Sequence, residues 1–288
     1  VGAHVAVVCL LIASACASAQ TPDEMKKQMD AGQYREALRS IGEALSKRKA
    51  SDDQARYQLL MMRGECQLQL DQRADAASAF ESAAKSAGNI VDAAMARANV
   101  VLIRASAGSK YAPKSGGDAI DIKNAESRKQ AYSTLRDDLL KANESKIQAA
   151  MHDNTLAPTM KILPTVLDIA YLEYASSGSA ENTHTALKEL GDHARSLMRA
   201  ELNRLRRQAN LAEDVSNSAS YGGRRGLNTT ERDGLQQSID YVTQIAQTAR
   251  EARRRARALG FDGSAWEPII ADADDLLELQ KGVLAIAN

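Results

Sequence analysis

Apolar residues recur at steps of three and four along most of the chain, and no stretch alternates apolar and polar long enough to read as a sheet strand. On 230–259 the apolar positions are Leu235, Ile239, Val242, Ala246, Ala249, Ala256 and Leu259. On 181–213 they are Leu187, Leu190, Ala194, Leu197, Leu205, Ala209 and Ala212, and on 265–287 Ile269, Ile270, Ala273, Leu276, Leu277, Gln280 and Val283 form a stripe. Each spacing lays one apolar face along a helix. With the cap signals, it predicts helices over 22–30, 34–47, 52–70, 73–87, 90–106, 124–151, 157–176, 181–213, 230–259 and 265–287. Thr21-Pro22-Asp23-Glu24 is a capping box with proline at the first helical position, and Ser51-Asp52-Asp53-Gln54 is a second box. Gly32 separates the first two helices. Pro158 suits a helix start, whereas Pro164, inside the same apolar pattern, predicts a kink or a break into two short helices.

Two connections are long for a helical protein. Residues 107–123 are rich in Gly, Pro and Lys, and residues 214–229 in Gly and short polar side chains. They divide the chain into 1–19, 20–106, the connection 107–123, and 124–288. The stripes on 181–213 and 230–259 predict an antiparallel, coiled-coil-like hairpin with arms on the order of 45 Å long. The last helix would then lie on that hairpin. Degenerate helical repeats are the other reading of the same stretch.

The first part of the chain has a second pattern. Leu60 and Gly64 lie on one helix, and Ala76, Phe80 and Ala83 on the next. An earlier partial unit holds Gly32, Tyr34, Ala37, Ile41 and Ala44, and one 34-residue period beyond Gly64 lies Ala98, again small. Over residues 22–106 this resembles a tetratricopeptide repeat array, with Gln67 and Arg63 departing from that family's Tyr and Leu, and Ala37 to Ala76 stretched to 39 residues. The resemblance implies an all-α fold. A helix-pair solenoid at the N-terminus would continue into long antiparallel helices. It also implies a concave groove lined by the first helix of each pair, which in this chain places Met61, Glu65, Met95 and Asn99 on a surface that takes a protein or peptide. Methionine adapts to varied partners, and Glu65 and Asn99 would read polar atoms of a peptide. The alternative is that Met61 and Met95 fill gaps in the core.

Composition narrows the classes of function. The 288 residues carry 37 Lys+Arg and 37 Asp+Glu, a formal charge of zero, which argues against whole-chain nucleic-acid binding. Aromatics are only 4%, which suits helices packed through Ala and Leu more than a sandwich of strands. Residues 1–19 hold no Asp, Glu, Lys or Arg, with an apolar run Val5–Ile12 and the ending Ala17-Ser18-Ala19. They read as a secretory signal cut before Gln20, too short to span a membrane. The expected location is the periplasm, the cell envelope or the exterior, with no transmembrane helix in the mature chain. Ala13-Ser14-Ala15-Cys16 offers a rival cut that would leave Cys16 as a lipid-bearing N-terminus. Cys66 is then the sole mature cysteine, and a buried, inert thiol is expected.

Candidate chemistry is sparse. His152, His184 and His193 lack zinc spacing, and Asp272, Asp274 and Asp275 diverge around a helix. No cofactor, metal or catalytic group is expected. Tyr221-Gly222-Gly223-Arg224-Arg225-Gly226 is the most unusual segment. Tyr221, Arg224 and Arg225 would contact an anion or a partner there, or the segment is a solvated hairpin tip. The run Arg250, Arg253, Arg254, Arg255 and Arg257 reads as a salt-bridged face, set opposite Glu189 and Asp192 in the hairpin, or as a patch for an anionic polymer or membrane surface. The expectation is a non-enzymatic scaffold of the envelope. The alternatives are an elongated spacer built on 181–259 and an accessory domain of an envelope enzyme.

Overall fold

A computed structural model describes residues 21–47, 53–106, 124–220 and 227–286. The expected leader with Cys16, Ser51 and Asp52 of the second capping box, the 107–123 connection, and the 221–226 segment with Tyr221, Arg224 and Arg225 lie outside the described residues.

The described residues are all-α. They form α1 (Pro22–Asp30), α2 (Tyr34–Lys47), α3 (Asp53–Gln69), α4 (Arg73–Ser86), α5 (Ile90–Ser106), α6 (Ala125–His152), α7 (Leu156–Ser177), α8 (Glu181–Ser220), α9 (Thr229–Arg257) and α10 (Glu267–Ile286), with a 3-10 turn at Ser264–Trp266. The cap chemistry explains where several begin. Thr21 Oγ1 accepts from the Glu24 amide, and the Glu24 carboxylate accepts from the Thr21 amide at 2.8 Å. Asn228 and Glu231 make the same reciprocal pair at the start of α9. α8 is capped from another helix: the buried carboxylate of Glu173 on α7 accepts from the amides of Asn182 and Thr183, each at 3.0 Å. That capping accounts for a buried acid that has no ion pair among the described residues.

From α1 to α5 each helix packs on the next in sequence. Gly64 sets the closest approach, because a Cβ there would stand 2.7 Å from the Phe80 ring. Phe80 is fully buried, so the missing side chain of Gly64 is the space its ring occupies. Met25, Ala37, Ile41, Ala44, Leu59 and Cys66 form a small separate core under α1–α3. The main core begins at Leu68 and Phe80 and runs unbroken to Leu277 on α10, so apolar packing continues across the 107–123 connection.

After α5 the order of packing changes. α5 rests on α7, α7 carries both α6 and α8, and α10 packs along both α8 and α9. The hairpin expected between the two long helices is therefore not a simple two-helix seam: α9 meets α10 far more than α8. The stripe on α9 is buried as expected, and so is the whole stripe on α10. On α8 the buried line passes through Met198 and Leu202, with Leu197 only half-buried.

Two boundaries differ from expectation. α8 continues to Ser220, although the segment from Asp214 is rich in residues that favour turns. Ala209, Ala212 and Ser216 keep the helical step against the bundle, and packing of that face outweighs weak local propensity. α7 runs through Pro164 as one element rather than breaking in two. Almost every residue of that helix around the proline is buried, so tertiary contacts hold the helix on both sides of the missing N–H. No helix among the described residues is long and apolar enough to cross a membrane.

Candidate functional site

The four residues expected to line a groove fall on two helices, Met61 and Glu65 on α3 and Met95 and Asn99 on α5, each pair one turn apart. The N-terminal half of α6 reaches both helices. Arg128 Nη1 donates to Glu65 Oε2 at 2.8 Å, and Nη2 donates to the other carboxylate oxygen, a two-pronged pair. One turn along α6, the Tyr132 hydroxyl donates to Asn99 Oδ1 at 2.9 Å, and Asn99 Nδ2 donates to the Met95 carbonyl at 3.2 Å. Burial, with Glu65 adding to it, pushes the Tyr132 hydroxyl well above the ordinary phenol range against the opposing pull of Arg128. Tyr132 therefore keeps its proton and its donor role. Glu65 and Asn99 are thus engaged by the chain's own α6. Met61 is half-buried against the core, whereas Met95 is 38% exposed and Val91, one turn earlier, 47%.

The arginines of α9 find partners the sequence pattern did not indicate. Arg250 pairs with Asp274 on α10, Arg253 and Arg257 share Glu267 at 2.5 and 3.2 Å, and Arg254 pairs with Glu251. Arg255 turns inward to Asp168 on α7, with both side chains buried. It also stacks 5.1 Å over the Tyr171 ring, and the Tyr171 hydroxyl donates to the Arg255 carbonyl at 3.0 Å. Glu189 and Asp192 are not the partners, because α10 rather than α8 flanks this edge of α9; Asp192 pairs with Arg195 on its own helix.

Two of the histidines take structural places, and His152 is exposed at the end of α6. His193 Nε2 lies 2.7 Å from the Asp153 carbonyl, and the His184 ring sits 4.7 Å from Phe261. Asp272 offers its carbonyl to Arg206 at 3.1 Å. No group of three His, Cys, Asp or Glu side chains among the described residues could hold a metal ion. Cys66 is buried, and desolvation, with Glu65 adding to it, pushes its thiol up to about 11.

Two depressions among the described residues carry polar or aromatic side chains of interest. A cavity of about 320 Å³ is lined by His184, Phe261 and the sole tryptophan, Trp266, with Arg195 5.0 Å over the indole. A larger, open cleft of about 740 Å³ lies between the α4–α5 turn and the arginine edge of α9. The α5 end of this cleft is brought close by Gly260, at the turn after α9, where φ is +78° and a Cβ would stand 2.8 Å from Ile90 Cδ1. Both the conformation and the contact demand glycine there.

Compared with known proteins, the chain matches no family model and no curated sequence. The site is therefore read from its own chemistry. Arg128 and Tyr132 escaped the sequence reading, and so did Arg97, which lines the larger cleft from the middle of α5. The signal of Arg97 was present, as a lone charge between Asp92 and Arg104 in an otherwise apolar helix.

Proposed function

We propose that the chain is a non-enzymatic, exported scaffold whose N-terminal helix pairs are tetratricopeptide-like and bind a protein or peptide segment along the α3–α5 face. The observation carrying this reading is the exposed apolar pair Val91 and Met95, one turn apart on α5, beside a polar edge already satisfied by Arg128 and Tyr132. Large apolar side chains left open together on a helix are the usual mark of a contact surface. Gly64 seated under Phe80 and the sequential packing of α1 to α5 support the repeat-like reading. In this reading α6 takes the Glu65 and Asn99 end of the groove, and the partner meets the Val91 and Met95 end.

The test is affinity capture from a cell-envelope extract by the wild type and by a Val91→Glu/Met95→Glu variant shown by circular dichroism to remain helical. A partner retained by the wild type and lost by the variant is the expected result. A partner held equally by both sinks the groove reading.

A further inference from the structure

We propose that the cleft between α5 and α9 is a binding site for a ligand bearing linked phosphate groups, with Arg97 as its central contact. The site uses other residues than the α3–α5 groove and stands or falls apart from it.

Arg97 is 8% exposed, makes no hydrogen bond or ion pair with a described residue, lies within electrostatic reach of Tyr171, and keeps its guanidinium nitrogens open to the cleft. That is costly for a guanidinium. A cation covered this far keeps only the part of its hydration that the cleft supplies, and proteins normally pair such a group or replace it. Arg255 shows the ordinary solution in the same protein, buried to a similar degree and clamped to Asp168. Arg97 has no such counter-ion and opens onto a cleft large enough for a small molecule.

The rest of the lining has the same sign. Lys85, Arg97, Arg250, Arg253, Arg254 and Arg257 line the cleft with one carboxylate, Glu251. Adding the ion-pair partners Glu267 and Asp274 gives six cations against three carboxylates, a surplus of three positive charges. The start of α5 faces the same space. Ile90, Ala93 and Arg97 lie on one side of that helix and all line the cleft, so the N-terminal end of the dipole adds to the field. Asp92 in the same turn does not line the cleft; it accepts from Gln54 Nε2 at 3.2 Å and Asn89 Nδ2 at 2.7 Å and keeps its charge, and Asn89 Oδ1 caps its amide at 2.8 Å, so the arginines and Lys85 rather than the helix end carry most of the field. A single carboxylate would neutralise one charge of the three. A diphosphate brings a matching charge and enough acceptor oxygens to meet a buried guanidinium and the rim cations together. A free diphosphate and a phosphate headgroup on a lipid present this same chemistry.

The experiment uses the full chain with three probes at matched ionic strength: inorganic pyrophosphate, inorganic sulfate, and phosphatidylcholine vesicles doped with phosphatidate. Binding is read by titration calorimetry or vesicle co-sedimentation, and thermal melts are run on wild type, Arg97→Met and Lys85→Ala. Saturable binding of one pyrophosphate per chain is expected, with a raised Tm and clear preference over sulfate. Arg97→Met removes an unpaired buried charge, so without ligand it should melt at or above the wild type, while binding pyrophosphate about tenfold or more weakly. Lys85→Ala, at an exposed rim position, should weaken binding by a smaller factor without touching the fold. Vesicle binding that Arg97→Met abolishes would assign the phosphate to a headgroup; pyrophosphate binding without vesicle binding would assign it to a free compound. The proposal is overturned if neither probe binds saturably, if pyrophosphate binds no better than sulfate, or if Arg97→Met binds as the wild type does. A lower Tm for ligand-free Arg97→Met would also count against it, as it would mean that Arg97 is held by the fold itself.

Discussion

Arg97 and Asn99 stand two residues apart on α5, and both are almost fully shielded from solvent. On the side toward α6, Asn99 is met by Tyr132, and nearby Glu65 by Arg128. On the side toward α9, Arg97 opens onto a cleft and has no ion-pair partner among the described residues, with only the Tyr171 hydroxyl in its electrostatic reach. The first region is built as a core is built, with Glu65, Asn99, Arg128 and Tyr132 each given a partner of matching chemistry. The second leaves one buried charge unmatched and surrounds it with more of the same sign. A fold gains no stability from that arrangement, which is why it points to something outside the chain. The lesson is that exposure alone does not separate structural from functional polar residues; the partner inventory does.

The sharpest way to break this comparison is to turn a matched site into an unmatched one. Asp168→Ala removes the buried counter-ion of Arg255, leaving it the Pro164 carbonyl and the more exposed Glu251 at 3.8 Å, and is expected to destabilise the fold by about 3 kcal/mol. Chemical denaturation measures it, and a change below 1 kcal/mol, roughly the worth of an exposed pair, would mean that burial does not make the pair matter. Gly64→Ala comes next, because its Cβ must push into the Phe80 ring; a loss of about 1–3 kcal/mol is expected, and a neutral result would mean that α3 and α4 do not depend on that close approach. Tyr132→Phe leaves Asn99 Oδ1 without its buried donor and should cost about 1–2 kcal/mol in the same assay.

Alkaline pH tests burial without mutation. The Cys66 thiol titrates at about 11 in the fold against an ordinary 9.0, and burial raises the hydroxyls of Tyr57, Tyr132 and Tyr171 as well. Above the ordinary thiol value the unfolded chain holds fewer protons than the folded one, so stability is full below it and falls as pH rises from 9.0 toward 11. Denaturation midpoints taken on either side of that window would expose the opposite sign. A disulfide reagent should label Cys66 only after unfolding. The smallest stability effect belongs to Met95→Glu, on an exposed face, where a change within about 0.5 kcal/mol is expected. A larger loss would place Met95 in the core rather than on a contact surface.

Much of the helical layout was legible in the sequence. The α10 stripe was read residue for residue and every residue named on α9 is buried, though Ile245 and Ala252 join them there, because three–four spacing is a property of one helix alone. The capping box at Thr21 was equally local. The end of α8 was not: residues after Asp214 look like a turn by propensity, and only the surface waiting for Ala212 and Ser216 keeps them helical. Glu65 and Asn99 were placed on one face, but their engagement by Arg128 and Tyr132 was invisible, since those partners lie 63 and 33 residues away.

The sequence by itself determined that the described chain is helical, where most helices lie, and which side of α9 and α10 is apolar. Periodicity and capping act over one or two turns, so they survive without knowledge of the rest. The tertiary structure decided which helix meets which. It set α10 rather than α8 beside the arginines of α9, laid α6 over Glu65 and Asn99, and left Arg97 facing a cleft without a counter-ion. Pairing of distant charges depends on how helices stack, and stacking is a choice among apolar faces that look alike along the chain.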